Sequence, residues 1–221
     1  MKFVFSGISS PIVFDEGAVN SLVIENQRLL YSLIEDISNQ LNGSDGDAVL
    51  SRDNVPVDIY KNLELITSFI PFEVNKKALV NKIISAFEKT ALNEAYYMRT
   101  SQLTADLERL VSDIAFDFPC EVECDAVAPS ALFKAAGLRV SESYSDPLEK
   151  ILDYMELVRE FDRDKLFAFV NMRAFFSDER MEIFIESVID HKFNVLLVDS
   201  SEHERVNNER RLIIDADLCE I

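Results

Sequence analysis

Three carboxylates alternate in the segment CEVECD: Glu121, Glu123 and Asp125. The polar–apolar alternation over Cys120–Asp125 predicts a strand with one acidic face. Carboxylates on one face repel each other unless water or a cation lies between them. Hard oxygen ligands suit Ca²⁺ or Mg²⁺, and Ca²⁺ tolerates irregular geometry better. The spacing is not that of an EF-hand loop, and a solvated acidic edge is the plainer alternative in so acidic a chain.

A second group lies near the C-terminus. The run VLLVD ends on Asp199, with Glu202 close behind. An acid at the end of a buried strand can orient Mg²⁺ in a nucleotide hydrolase. That chemistry also needs a glycine-rich loop whose amides cradle phosphates, followed by Lys and Ser or Thr. No glycine here is followed by Lys, so a surface acid at a strand end is the plainer reading of Asp199. Cys120 and Cys124 have no histidine pair nearby, because His191 and His203 are far off in sequence. Lys76, Lys77, Lys82 and Lys89 form a modest basic patch, or else a solvated helix face.

The elements that must position these groups emerge from apolar periodicity. Leu166–Val170 and Asn194–Val198 read as buried strands. Met181, Phe184, Ile185, Val188 and Ile189 form one stripe of a helix between them, with Ser177 as its cap. Strand, helix and strand make a parallel βαβ unit with a right-handed crossover. Lys2–Ser6, Pro11–Phe14, Ser21–Ile24, Ala48–Ser51 and Arg211–Ile214 read as further strands. Asn26 opens a helix through Leu41, and Gly43 sits where a left-handed residue ends it. Asp146 and Pro147 open another, with Leu148, Ile151, Leu152, Met155 and Val158 facing the core. From Val57 to Phe118 there is no glycine. Ile59, Leu63, Ile66 and Ile70 mark one helix there. A second runs from Asn75 to about Met98, roughly 35 Å. Leu103, Leu107, Leu110, Val111 and Ile114 mark a third. These three read as a helical insertion, residues 57–118, in an α/β domain of residues 1–56 and 119–221.

Composition sets the outer limits. The chain has 221 residues, 48% of them hydrophobic, and a net charge of −18 from 40 acids and 22 bases. Such a balance points away from an ordinary nucleic-acid binder unless the bases are gathered on one surface. An odd, sparse set of three cysteines fits a reducing cytoplasm. No signal peptide and no apolar run of transmembrane length is apparent, so no membrane partner is expected.

The order of these pieces resembles a known family. The stretches PIVFDEGAVNSLVIENQRLLYSLIEDI (11–37), VECD (122–125), ALFKAAGLRVSES (131–143), DKLFAFVN (164–171) and FNVLLVDS (193–200) look like the adaptation protein of type II-A CRISPR systems, the Csn-two family. The resemblance spans nearly the whole chain and rests on order, length and hydrophobic texture. It implies an α/β, P-loop-ATPase-like head without a phosphate-binding loop and an inserted α-helical leg. It implies a non-catalytic homotetrameric ring that holds double-stranded DNA, preferentially at ends, binds Ca²⁺ and takes part in spacer acquisition. Its partners would be the adaptation integrase and the type II effector nuclease. On that footing Glu121, Glu123 and Asp125 are the calcium candidates. The DNA candidates are Lys134 and Arg139, then Arg28, Lys150, Lys76 and Lys77, chosen for basic character and position. A divergent Mg²⁺-dependent nucleotide hydrolase using Asp199 and Glu202, and an acidic protein-interaction module, are the competing readings.

Overall fold

The computed structural model describes residues 1–221. The chain is a mixed α/β protein that divides into two compact units, residues 1–72 with 144–221, and residues 73–143.

The first unit is built on five parallel strands. β3 (Val19–Ile24), β6 (Leu63–Ile66), β7 (Leu166–Val170), β8 (Asn194–Asp199) and β9 (Glu209–Ile214) lie in the order β6-β7-β8-β3-β9. Both faces of this sheet are covered, which is why its central strands read as unbroken apolar runs. On one face Leu22, Leu196, Ala168 and Leu63 pack with Leu33 and Ile37 of helix α1 (Gln27–Leu41). The same core takes Phe3 and Leu50 from a four-stranded antiparallel sheet. Its strands are β1 (Lys2–Val4), β2 (Ile12–Val13), β4 (Val49–Arg52) and β5 (Val55–Val57), in the order β2-β1-β4-β5. The expected hairpin start is present, with Phe3 opposite Ile12.

On the opposite face lie α6 (Pro147–Phe161) and α7 (Asp178–Asp190). Phe169 meets Phe184 edge-on at 5.3 Å between ring centres, a favoured aromatic geometry. Asp146 caps α6 by accepting from the Leu148 amide at 2.8 Å. Ser177 stands at the N-cap of α7 but makes no side-chain cap bond there. The parallel βαβ of β7, α7 and β8 is as the periodicity predicts, with Ala168 beside Leu196.

One expected helix is corrected. Ile59, Leu63, Ile66 and Ile70 fit a helical stripe, yet helix α2 is only Ile59–Asn62 and the chain then extends into β6. Leu63–Ile66 runs parallel to Leu166–Phe169, and that ladder satisfies backbone groups that a helix would bond internally. This strand belongs to the main sheet, so the second compact unit begins at residue 73 rather than 57.

The second unit holds α3 (Lys77–Ala91), α4 (Tyr97–Ala115) and α5 (Pro129–Ala135). The single helix expected from Asn75 to Met98 is two helices. The Asn93 side chain accepts from the amides of Ala95 (3.1 Å) and Tyr96 (3.3 Å), and this turn starts α4 anew. Phe87 of α3 packs edge-on against Phe133 of α5 at 5.6 Å. The apolar stripe of α4 stays open to solvent, with Leu103 57% and Ile114 55% exposed.

The acidic strand at Cys120–Asp125 is also corrected. Residues 116–128 form no strand, and Glu121, Glu123 and Asp125 are exposed on irregular chain. Alternation alone does not make a strand when no neighbouring edge can pair with it.

Candidate functional site

The strand that would carry a phosphate loop shows why none forms. β3 passes into α1 through two residues, Glu25 and Asn26. The Asn26 side chain accepts from the amides of Arg28 and Leu29, both at 3.1 Å, and donates to the Ala216 carbonyl at 2.8 Å. Those amides are spent on the cap, and an exposed carboxylate, Glu25, stands beside them. The β3–α1 corner therefore presents no cradle for an anion.

Asp199 is not a surface acid. Its residue is 1% exposed, beneath the turn at 171–176 and the loop at 200–206. The Asn171 amide bonds the Val198 carbonyl at 2.7 Å, and the Asn171 side chain accepts from the Ser200 amide at 2.8 Å. Arg173 is buried below, with Nε 3.8 Å from Asp199 and Nη2 2.9 Å from Glu209. Arg211 bonds both Glu209 oxygens, at 3.1 and 2.9 Å. Arg173 and Arg211 also donate to the Glu204 carbonyl, at 3.0 and 3.1 Å, and Arg211 reaches the His203 carbonyl at 2.7 Å.

This cluster holds the loop between β8 and β9 on the sheet. Burial pushes the Asp199 carboxyl above its ordinary range, because nearby Arg173 and His203 offset the loss of water only in part. Neither of its oxygens has a hydrogen-bond partner. Burial opposes the charge of Glu209 too, but there Arg211, the Val206 amide and Arg173 outweigh it and hold the carboxyl low. Glu202 is more than half exposed and lies 3.4 Å from Arg211 rather than with Asp199. The pair named for nucleotide hydrolysis is therefore split between a sealed acid and a rim acid. Arg173, Glu209 and Arg211 were not singled out from sequence. The left-handed Asn171 (φ 53°) that aims the Arg173 turn leaves no sequence signal stronger than an Asn after a strand.

The basic candidates fall in both units. Arg28 is exposed on α1, and Lys150 is half-buried on α6. The other four lie in the second unit, and one residue brings three of them together. Asn75 donates to the Val140 carbonyl at 3.1 Å and accepts from the Val140 amide at 2.8 Å. That two-way bond sets Arg139 next to Lys76 and Lys77 at the start of α3. Glu142 joins the same end, accepting from Asn75 at 2.8 Å. No acid stands in the first turn of α3 and no side chain caps it, so its dipole adds to the positive potential there. Lys134 is exposed on α5, beyond Phe133. The second unit carries eight bases against eleven acids, whereas the first carries fourteen against twenty-nine. Most of the net negative charge therefore belongs to the first unit.

The metal candidates are not assembled. No group of three His, Cys, Asp or Glu side chains in the structure could hold a metal ion, and Glu121, Glu123 and Asp125 form no such group. Cys120, Cys124 and Cys219 are free and exposed. No helix is long and apolar enough to cross a membrane.

Comparison with known proteins places the chain in a family. The family described as CRISPR-associated protein (Cas_Csn2) matches residues 40–218, a span that includes α3, the Asn75–Val140 pair and the buried arginine cluster. The CRISPR-associated protein Csn2 of Enterococcus faecalis is 22% identical over 155 residues, covering 69% of each chain. The match extends over four-fifths of the sequence and both compact units, and the chain belongs to the Csn2 family of CRISPR-associated proteins.

Proposed function

We propose that this chain is a non-catalytic subunit that binds double-stranded DNA and serves spacer acquisition in a type II-A CRISPR system. The observation that carries the reading is the Asn75–Val140 bond, which gathers Lys76, Lys77 and Arg139 at one end of the less acidic unit. In this reading the first unit is the P-loop-ATPase-like head and residues 73–143 are the leg. The two-residue β3–α1 corner supports a head that turns over no nucleotide. Four chains close into a ring around the duplex, with the adaptation integrase and the effector nuclease as partners. The task within the cell is one of holding and presenting DNA ends in the cytoplasm.

The chemistry is phosphate neutralisation. Lysine and arginine side chains displace the counterions condensed on DNA, so binding ignores sequence and weakens steeply with salt. The calcium implied by the family resemblance has no assembled carboxylate set at Glu121, Glu123 and Asp125, and no step here passes through it.

Fluorescence anisotropy with a labelled linear duplex at several salt concentrations tests this. Wild-type protein binds, with log K falling linearly against log salt. The variant Lys76→Ala/Lys77→Ala/Arg139→Ala binds more weakly, with the slope reduced by about one per lost phosphate contact. Unchanged affinity and slope in that variant would remove this basic end from the interface. Absence of wild-type binding would sink the reading altogether.

A further inference from the structure

A groove of about 320 Å³ runs between α6 and α7 on the outer face of the first unit. Its floor is apolar. Leu152 and Phe193 are half-buried there, and Ile183 stands 51% exposed although its neighbours Phe184 and Ile185 are sealed in the core. An isoleucine held half in water at the centre of a groove is a ready apolar contact point.

The walls are acidic. Asp146, Glu149, Asp153 and Glu156 succeed one another at spacings of three, four and three, so they line one side of α6. On α7 the groove is lined by Arg180 and Ile183, and the exposed Glu186 and Asp190 lie outside it. Some of this charge is already answered. Arg180 pairs with Asp146, and Arg159 with Glu156 at 2.5 Å. His191 lies 3.4 Å from Glu156, and Asp153 bonds Tyr144. Glu149 and Asp153, which both line the groove, make no ion pair. The groove thus keeps a surplus of negative charge around an apolar centre.

We infer that the α6–α7 groove docks a basic amphipathic helix of a partner protein, its apolar side on Ile183 and its lysines or arginines along the α6 carboxylates. Charge decides the class of occupant. A phosphate backbone is repelled here, and an acidic helix likewise, whereas a helix with cations flanking one apolar stripe satisfies both features. The inference does not depend on the DNA reading, because the groove lies wholly within the first unit and is tested without DNA.

The probe is a synthetic amphipathic peptide about four turns long, with leucines on one stripe flanked by lysines. The control has glutamates in place of lysines. Calorimetry at about 0.15 M salt reads saturable 1:1 binding of the lysine peptide and none of the glutamate peptide. Two protein variants then separate the groove from diffuse attraction. Ile183→Asp adds negative charge while deleting the apolar contact, and it weakens binding about tenfold, the loss of one buried aliphatic side chain. Glu149→Gln/Asp153→Gln weakens it severalfold and flattens its salt dependence. Unaltered melting shows that both variants fold. Equal or tighter binding by Ile183→Asp means diffuse charge attraction and overturns the inference. So does absence of saturable binding by wild-type protein. A change of oligomeric mass in Ile183→Asp, without peptide binding by either form, assigns the groove to a second copy and overturns it too.

Discussion

Glu209 shows how much a single side chain holds here. Its side chain is fully buried, yet it stays charged because Arg211 bonds it on both oxygens and Arg173 closes from below. Removing one partner of a buried ion pair strands the others away from water. Replacing Glu209 with Gln leaves two buried guanidinium groups with only the half-exposed Asp178 and Glu202 at 3.7 and 3.4 Å, and Asp199, whose own charge is disfavoured. The expected loss is about 3 kcal/mol, read by urea denaturation. A loss below about 0.5 kcal/mol, the level of an ordinary surface change, would mean that water reaches the cluster. None of this was legible in the sequence. Asp199 was visible as a strand-end acid, but its burial depends on Arg173 and on the loop at 200–206, which are brought over it only by the folded chain.

At the scale of elements, α1 and its exits were the most legible part. Asn26, the stripe through Leu33 and Ile37, and Gly43 (φ 89°) each stand where local rules place them. The loop between α1 and β4 is held by Asp36, which accepts from the amides of Asp47 (2.7 Å) and Ala48 (2.9 Å) and from Gln40 (2.8 Å). Burial works against its charge, but the two amides and Gln40 outweigh it and set its pKa below the ordinary value. A carboxyl whose pKa is lowered by folding adds stability above its unfolded pKa and loses it as pH falls through the folded one. Asp36→Asn should therefore be less stable than wild type at pH 7, by about 1 kcal/mol for weakened bonds to the loop, and thermal melting reads the difference. The two proteins should converge as the pH drops through and below the usual carboxylate range. A gap that persists unchanged in acid would mean that charge plays no part.

Two of the misread elements share one cause. Ile59, Leu63, Ile66 and Ile70 fit a helix by spacing, and Glu121, Glu123 and Asp125 fit a strand by alternation. Spacing records which faces are apolar, whereas a strand exists only where another edge offers hydrogen bonds. β7 offers them to Leu63–Ile66, and no strand offers them to Cys120–Asp125.

Over the whole molecule the charge is unevenly divided, and this reconciles an acidic protein with the DNA partner proposed for it. The first unit carries the large surplus of acids, while the Asn75–Val140 bond draws bases together in the second. Asn75 was not singled out in the sequence, because in the proposed interface it only positions others. Family membership was legible in the order and texture of the pieces, and the match over residues 40–218 bears it out. Whether four chains enclose a duplex is the central claim, and threading tests it most directly. Gel-shift titrations compare linear duplex with covalently closed circular DNA of the same sequence, each with Ca²⁺ and with chelator. A closed ring predicts binding to linear DNA and little or none to circles. Equal binding to both forms would contradict a ring loaded from DNA ends and leave an open surface instead.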